Sequence, residues 1–126
     1  MKTDSLVLLP QIEAGVPSGN YDGSTDSFVE TRQKAADYYK HSTVSQDIQF
    51  RVNDFVGSII IEASLDENPV VDADWFSVHT FPSNIPDSST AVTSNTRITV
   101  TGNFTWIRAR VQDFSDGFIE QVLLVY

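Results

Sequence analysis

Apolar and polar residues alternate with period two through most of this chain. That pattern constrains the fold more than any motif does, because a strand with one buried face sustains it and a helix does not. Val44, Gln46, Ile48, Phe50 and Val52 fall on one face of a strand, and Asp47, Gln49 and Arg51 on the other. Ile59, Ile61, Ala63 and Leu65 then alternate with Ile60, Glu62 and Ser64, until Asp66-Glu67-Asn68-Pro69 breaks the run. Trp75 to Phe81 forms a third run and Arg97 to Thr101 a fourth. In the segment Phe104 to Gln112, Ile107, Ala109 and Val111 share one face, and Trp106, Arg108 and Arg110 share the other. Phe118 to Tyr126 reads as the last strand.

Turn chemistry lies between these runs. Asn53-Asp54-Phe55-Val56-Gly57 and Asp113-Phe114-Ser115-Asp116-Gly117 have the composition of turns. The segment from Pro82 to Asn95 is rich in Ser, Thr, Pro and Asn and predicts a long exposed loop. Arg51-Val52-Asn53-Asp54-Phe55 is echoed by Arg110-Val111-Gln112-Asp113-Phe114, each followed by a glycine and then an apolar strand. The echo predicts two similar hairpins, with Gly57 and Gly117 at positive φ. Seven or so short strands joined by such turns predict an all-β fold, a single antiparallel β-sandwich of jelly-roll-like type.

Two segments stand apart. Residues 1–25 hold one short apolar strand, Leu6 to Leu9, followed by Pro10, Gly15, Pro17, Gly19 and Gly23. They read as an extended N-terminal arm or edge strand that covers an edge of the sandwich of residues 26–126 or reaches onto a neighbouring copy. Over residues 27–40, Ser27 and Glu30 have capping-box spacing, yet Tyr38-Tyr39 suit an extended chain equally, so helix and strand both stay open.

With 126 residues the chain has the size of one domain and can bury a core without staples. It contains no cysteine, which removes disulfides, thiolate nucleophiles and thiolate metal sites together. No apolar run approaches the roughly 20 residues of a membrane helix, and Leu6 to Leu9 is too short for a signal peptide. A net charge of −9 repels phosphate backbones and argues against nucleic-acid binding.

No catalytic constellation emerges. His41 lies in a polar stretch, and His79 sits within a strand pattern. No Gly-x-Ser-x-Gly elbow is present. Asp66-Glu67 and Asp72-x-Asp74 lack the spacing of a calcium loop, and acids between strands ordinarily face water. Neither a metal nor a cofactor is expected. Trp75, Tyr38 and Tyr39 are candidates for stacking on a glycan, although core packing accounts for such aromatics as well. Trp106, Arg108 and Arg110 form a candidate protein interface, since Trp and Arg are the usual anchors of one, and Leu6 and Leu8 form a second through the arm. Asn103-Phe104-Thr105 matches a glycosylation acceptor by accident of composition.

The order of these motifs resembles a known group. Phe55-x-Gly57, Ile59 to Leu65, the Pro69 break, Asp74-Trp75, then Gly102-Asn103-Phe104-Thr105-Trp106-Ile107-Arg108-Ala109-Arg110 and Gly117 look like small structural proteins of tailed bacteriophages, notably cyanobacterial and marine ones. The resemblance spans residues 33 to 126 and includes Ala36-Asp37-Tyr38-Tyr39. It departs at Lys40, where a glycine is expected. It implies a short β-sandwich located in the virion, made in the host bacterial cytoplasm. Such a protein has no catalytic residues and is a homo-oligomer that binds other virion proteins and copies of itself. A receptor- or carbohydrate-binding module of a phage tail is the alternative.

Overall fold

A computed structural model describes residues 5–35, 45–81 and 91–126. The described chain is all-β: eight strands form one antiparallel sheet, and the sheet closes on itself as a sandwich. The strands are β1 (Ser5–Leu9), β2 (Ile12–Glu13), β3 (Phe28–Val29), β4 (Gln33–Lys34), β5 (Ser45–Ser64), β6 (Phe76–Phe81), β7 (Val92–Thr101) and β8 (Trp106–Val125). Among the described residues one 3-10 turn spans Asp72–Asp74.

Two strands of 20 residues, β5 and β8, pair along nearly their whole length and belong to both halves of the sandwich. In the first half β1 and β2 flank the C-terminal part of β8, and β7 flanks the N-terminal part of β5. In the second half β3 and β4 flank the start of β8, and β6 flanks the end of β5. The halves meet through their inward residues. Phe50, from the first half, stacks on Phe81, from the second, with ring centroids 4.7 Å apart. Ile48, Phe50, Ile59, Ile61, Ile107, Ile119, Val122 and Leu124 are all fully buried in one cluster.

The two segments with turn composition are not turns. The chain continues as strand through both, and each bends at a bulge. Val52 and Phe55 both point inward, so Asn53 and Asp54 are two consecutive exposed residues that switch the inward set from even to odd positions. Val111 and Phe114 frame Gln112 and Asp113 in the same way. An extra residue of this kind is a β-bulge, and it bends a strand so that one strand can serve two sheets. Asp54 and Asp113 take the left-handed conformation at φ 50° and 55°, which an Asp tolerates better than most residues. The echo therefore marks two equivalent bends. They interlock, because Gly57 packs on the backbone of Gln112 to Phe114 and Gly117 on that of Asp54 and Phe55. Both glycines have positive φ, 149° and 84°.

Other expectations change as well. Phe28–Val29 and Gln33–Lys34 are short strands on the β8 edge, so no helix starts at Ser27; Phe28 is held by its ring contact with Tyr21 and its pairing with Val111. The rest of that segment, with Tyr38 and Tyr39, lies outside the described residues, as does Val44. Of the loop expected from Pro82 to Asn95, residues 82–90 lie outside the described set, and Val92 to Asn95 already belong to β7. β5 stops at Ser64, whose buried hydroxyl donates to the Asp74 carbonyl (2.8 Å) and accepts from the Asp66 amide (3.1 Å), so Leu65 is exposed.

The N-terminal arm pairs with its own chain. Leu6 lies opposite Leu124 and Ile12 opposite Ile119, and Leu8, Leu9 and Ile12 are buried. Of the two placements expected for the arm, the structure has the edge of its own sheet.

Candidate functional site

Trp106, Arg108 and Arg110 share the outer face of β8, as the alternation requires, and all three are half-buried. The antiparallel register sets Glu62 of β5 opposite Arg108. One carboxylate then serves two guanidinium groups: Arg108 Nε donates to Glu62 Oε1 (2.8 Å) and Arg110 Nε to Glu62 Oε2 (3.1 Å). A terminal nitrogen of each arginine also reaches Asp72 Oδ1, both at 3.3 Å. Glu62 and Arg108 side chains are only 14% and 12% exposed, against 81% for Asp72. The tight half of this network is therefore the Glu62 clamp, and Asp72 is its wet rim.

Aromatic rings extend the cluster. Arg108 lies over Trp75 at 4.0 Å from the ring centroid. Arg32 and Lys34, next to or within β4, lie 4.2 Å and 4.0 Å from the centroid of Trp106. These are cation–π distances. Four of the chain's eight basic residues thus gather on one face of a strongly acidic protein.

The cluster holds a loop. Trp106 Nε1 donates to the Glu67 carbonyl (3.0 Å), and Arg32 donates to the Pro69 carbonyl (2.8 Å). Asp74 Oδ2 accepts the amides of Val70 (2.7 Å) and Val71 (3.1 Å). Those two N–H donors favour the carboxylate and hold Asp74 below the usual Asp range. Pinned in this way, the loop from Leu65 to Val71 projects apolar side chains into solvent: Leu65 is 66% exposed, Val70 80% and Val71 57%.

Three of the four acids considered for calcium are engaged by N–H donors. Asp66 Oδ1 accepts from the Asn68 amide, Asp72 faces the two arginines, and Asp74 closes the loop. Among the described residues no three His, Asp or Glu side chains converge as metal ligands do. The other perturbed groups are elsewhere. Asp22 accepts the amides and hydroxyls of Ser24 and Thr25, and its pKa falls to about 2. His79 lies beside Phe50, with 5.8 Å between ring centroids, and burial lowers its pKa. His41 lies outside the described residues.

Of the residues singled out in the sequence, Trp75, Trp106, Arg108 and Arg110 come together. Leu8 does not belong to a surface: it is 1% exposed because the bulge between Val7 and Leu9 lets both Leu8 and Leu9 face the core. Leu6 is half-buried against that core. One face of the Trp75 ring is already occupied by Arg108, which leaves a single face for stacking. Sequence reasoning missed Glu62, which it placed only on the second face of its strand with Ile60 and Ser64. It also missed Arg32, Lys34 and the exposed Val70-Val71 pair.

A second surface lies on the first half of the sandwich. A depression of about 420 Å³ is lined by Arg51, Asn53, Thr93, Asn95 and Glu120. Another of about 530 Å³ adjoins it across Arg51 and Glu120, which form a 3.3 Å ion pair, and reaches Gln11, Gln121 and Val7. Together they make a shallow polar trough across the sheet.

No family model, curated protein or solved structure matches this chain.

The clamp makes one measurable prediction. Glu62→Gln keeps the shape but removes the charge that two arginines share, and is expected to cost about 2 kcal/mol, the scale of hydrogen bonds to a charged group. Arg51→Ala, which breaks the exposed pair with Glu120, should cost under about 1 kcal/mol. Urea unfolding of the two variants checks the order; equal losses would show that Glu62 behaves as a surface charge.

Proposed function

We propose that this protein is a structural component of a tailed-phage particle, acting through contacts with other virion proteins and with copies of itself rather than through catalysis. The observation that carries the reading is the pinned apolar tip. Leu65, Val70 and Val71 are held in place by Asp74, Arg32 and Trp106 before any partner arrives. A preorganised apolar anchor loses little entropy on docking, which is what a permanent assembly contact needs. Asp66, Glu67 and Asp72 flank the tip, so the complementary surface is an apolar pocket with a basic rim. The motif order over residues 33–126 supports the same reading and suggests the virion as its location.

The test replaces Val70 and Val71 with Asp together and supplies the variant as the only copy during particle assembly. Both side chains are exposed, so folding by circular dichroism should be unchanged while the protein disappears from purified particles. Incorporation at the wild-type level would overturn the reading.

A second reading, a receptor- or carbohydrate-binding module of a phage tail, is favoured by the polar trough. Its amide, guanidinium and carboxylate groups suit the hydroxyls of a sugar chain. Binding on a glycan array that is lost in Arg51→Ala would select it over the first.

A further inference from the structure

We infer that two copies of this chain pair edge to edge along β7, antiparallel about a two-fold axis at Thr96. The inference deepens the assembly reading by naming one of the partners, and it rests on that reading for its biological meaning.

The sheet has edges of very different quality. β1 is five residues long, is broken by a bulge between Val7 and Leu9, and runs into Pro10. β3 and β4 are two residues each. β6 has six residues, and its pairing slips between Ile61 and Glu62. Shortness, bulges and proline are the usual devices that stop a sheet from adding strands. β7 has no proline and is longer, and its pairing slips only at its first residues, between Val92 and Ser94. From Ser94 to Thr101 it pairs residue for residue with β5, from Val52 back to Ser45, without a slip. No described residue pairs with its other edge. It is therefore a ten-residue strand, regular from Ser94 onward, whose outer backbone donors and acceptors meet no strand among the described residues.

Its charge points to a second copy. Each chain carries −9, so two chains repel over most of their surface. β7 contains no acid, and its one charged residue is Arg97, which is exposed and has no ion pair or hydrogen bond among the described residues. The edge is thus a line along which two acidic chains can approach.

The register follows from the faces. Thr93, Asn95, Arg97, Thr99 and Thr101 are exposed, while Val92, Ser94, Thr96, Ile98 and Val100 turn inward. Continuing both faces across the junction requires exposed residues to meet exposed ones. A two-fold at Arg97 would set the two arginines directly opposite each other, which is unfavourable. A two-fold at Ile98 would leave fewer residues paired. The two-fold at Thr96 pairs Val92 with Val100, Thr93 with Thr99, Ser94 with Ile98 and Asn95 with Arg97. Arg97 then finds the side-chain carbonyl of Asn95, which accepts from Gln49 at 2.7 Å and keeps a second lone pair. The result is one sheet continuous through both copies, with β1, β8, β5 and β7 of each.

The chain has no cysteine, so one introduced thiol reads the register. Thr96→Cys places two sulfurs across the axis, at a Cα separation that an antiparallel pair and a disulfide share. Ile98→Cys places them four residues apart along the strands, roughly 13 Å. Purified wild-type protein should be a dimer by light scattering. Mild oxidation should link Thr96→Cys and leave Ile98→Cys unlinked. Asn95→Lys, which opposes like charges twice, should weaken the dimer at least tenfold, and adding Arg97→Glu to it should restore the dimer. A monomeric wild type, a disulfide at Ile98→Cys in place of Thr96→Cys, or a dimer indifferent to both charge changes would overturn the inference. None of these results bears on the Val70 and Val71 incorporation test, so the two readings fail separately.

Discussion

Gly117→Ala is expected to cost roughly 4 kcal/mol or more, a large share of the stability of a domain of this size. Two effects add. Gly117 sits at φ 84°, where a side chain is strained. A methyl group there would also lie 2.0 Å from the carbonyl oxygen of Asp54 and 2.7 Å from the amide nitrogen of Phe55. Both are main-chain atoms of the opposite bend and cannot rotate away. Gly57→Ala is the internal comparison: its nearest neighbours would be 3.0 Å away, at the Gln112 carbonyl and the Phe114 Cα. That distance asks for a shift of a few tenths of an ångström, and the cost should be about 1–3 kcal/mol. Urea unfolding of both variants checks the ranking. A Gly117→Ala protein as stable as wild type would mean that the two bends do not interlock.

Phe50→Ala is expected to cost about 3–5 kcal/mol, the range for emptying a phenylalanine site in a packed core. Phe50 is fully buried and lies nearly parallel to Phe81, at 6° between ring planes, across the two halves of the sandwich. Losing it opens a cavity where the halves touch, so packing there cannot close without moving a whole sheet. Phe76→Ala is the control: that ring is 41% exposed and packs edge-on with Phe104, so its loss should cost under about 1 kcal/mol. Thermal unfolding followed by near-ultraviolet dichroism separates the two. Equal losses would place the closing contact of the sandwich elsewhere.

The all-β class was legible because alternation is a one-dimensional signal. The inward set of Gln46, Ile48, Phe50 and Val52, and that of Ile107, Ala109 and Val111, read directly. The bends were misread because Asn53-Asp54 and Asp113 have turn chemistry and act here as bulge residues. What separates the two cases is parity: inward residues are even up to Val52 and odd from Phe55 onward, with no gap wide enough for a hairpin. Half of the candidate site was legible, since Trp106, Arg108 and Arg110 lie on one strand. The other half was not. Glu62 meets Arg108 only through a register spanning 46 residues, and Arg32 reaches Pro69 across 37. No local pattern encodes such distances.

The position of β8 sets an order of events for the folding chain. Residues 106–125 supply the strand on which β1, β2, β3, β4 and β5 all pair. Until that segment leaves the ribosome, β1 to β4 lack the strand they pair with, and among the described strands β5 has only β6 and β7 beside it. Folding is thus held back until β8 has been made and then depends on contacts far apart in sequence, the regime of slow β-proteins whose unpaired strands are exposed to other chains while they wait. A crowded translation site making many copies at once would favour those encounters, so yield in the cell should fall with expression rate more steeply than the stability of the finished fold suggests.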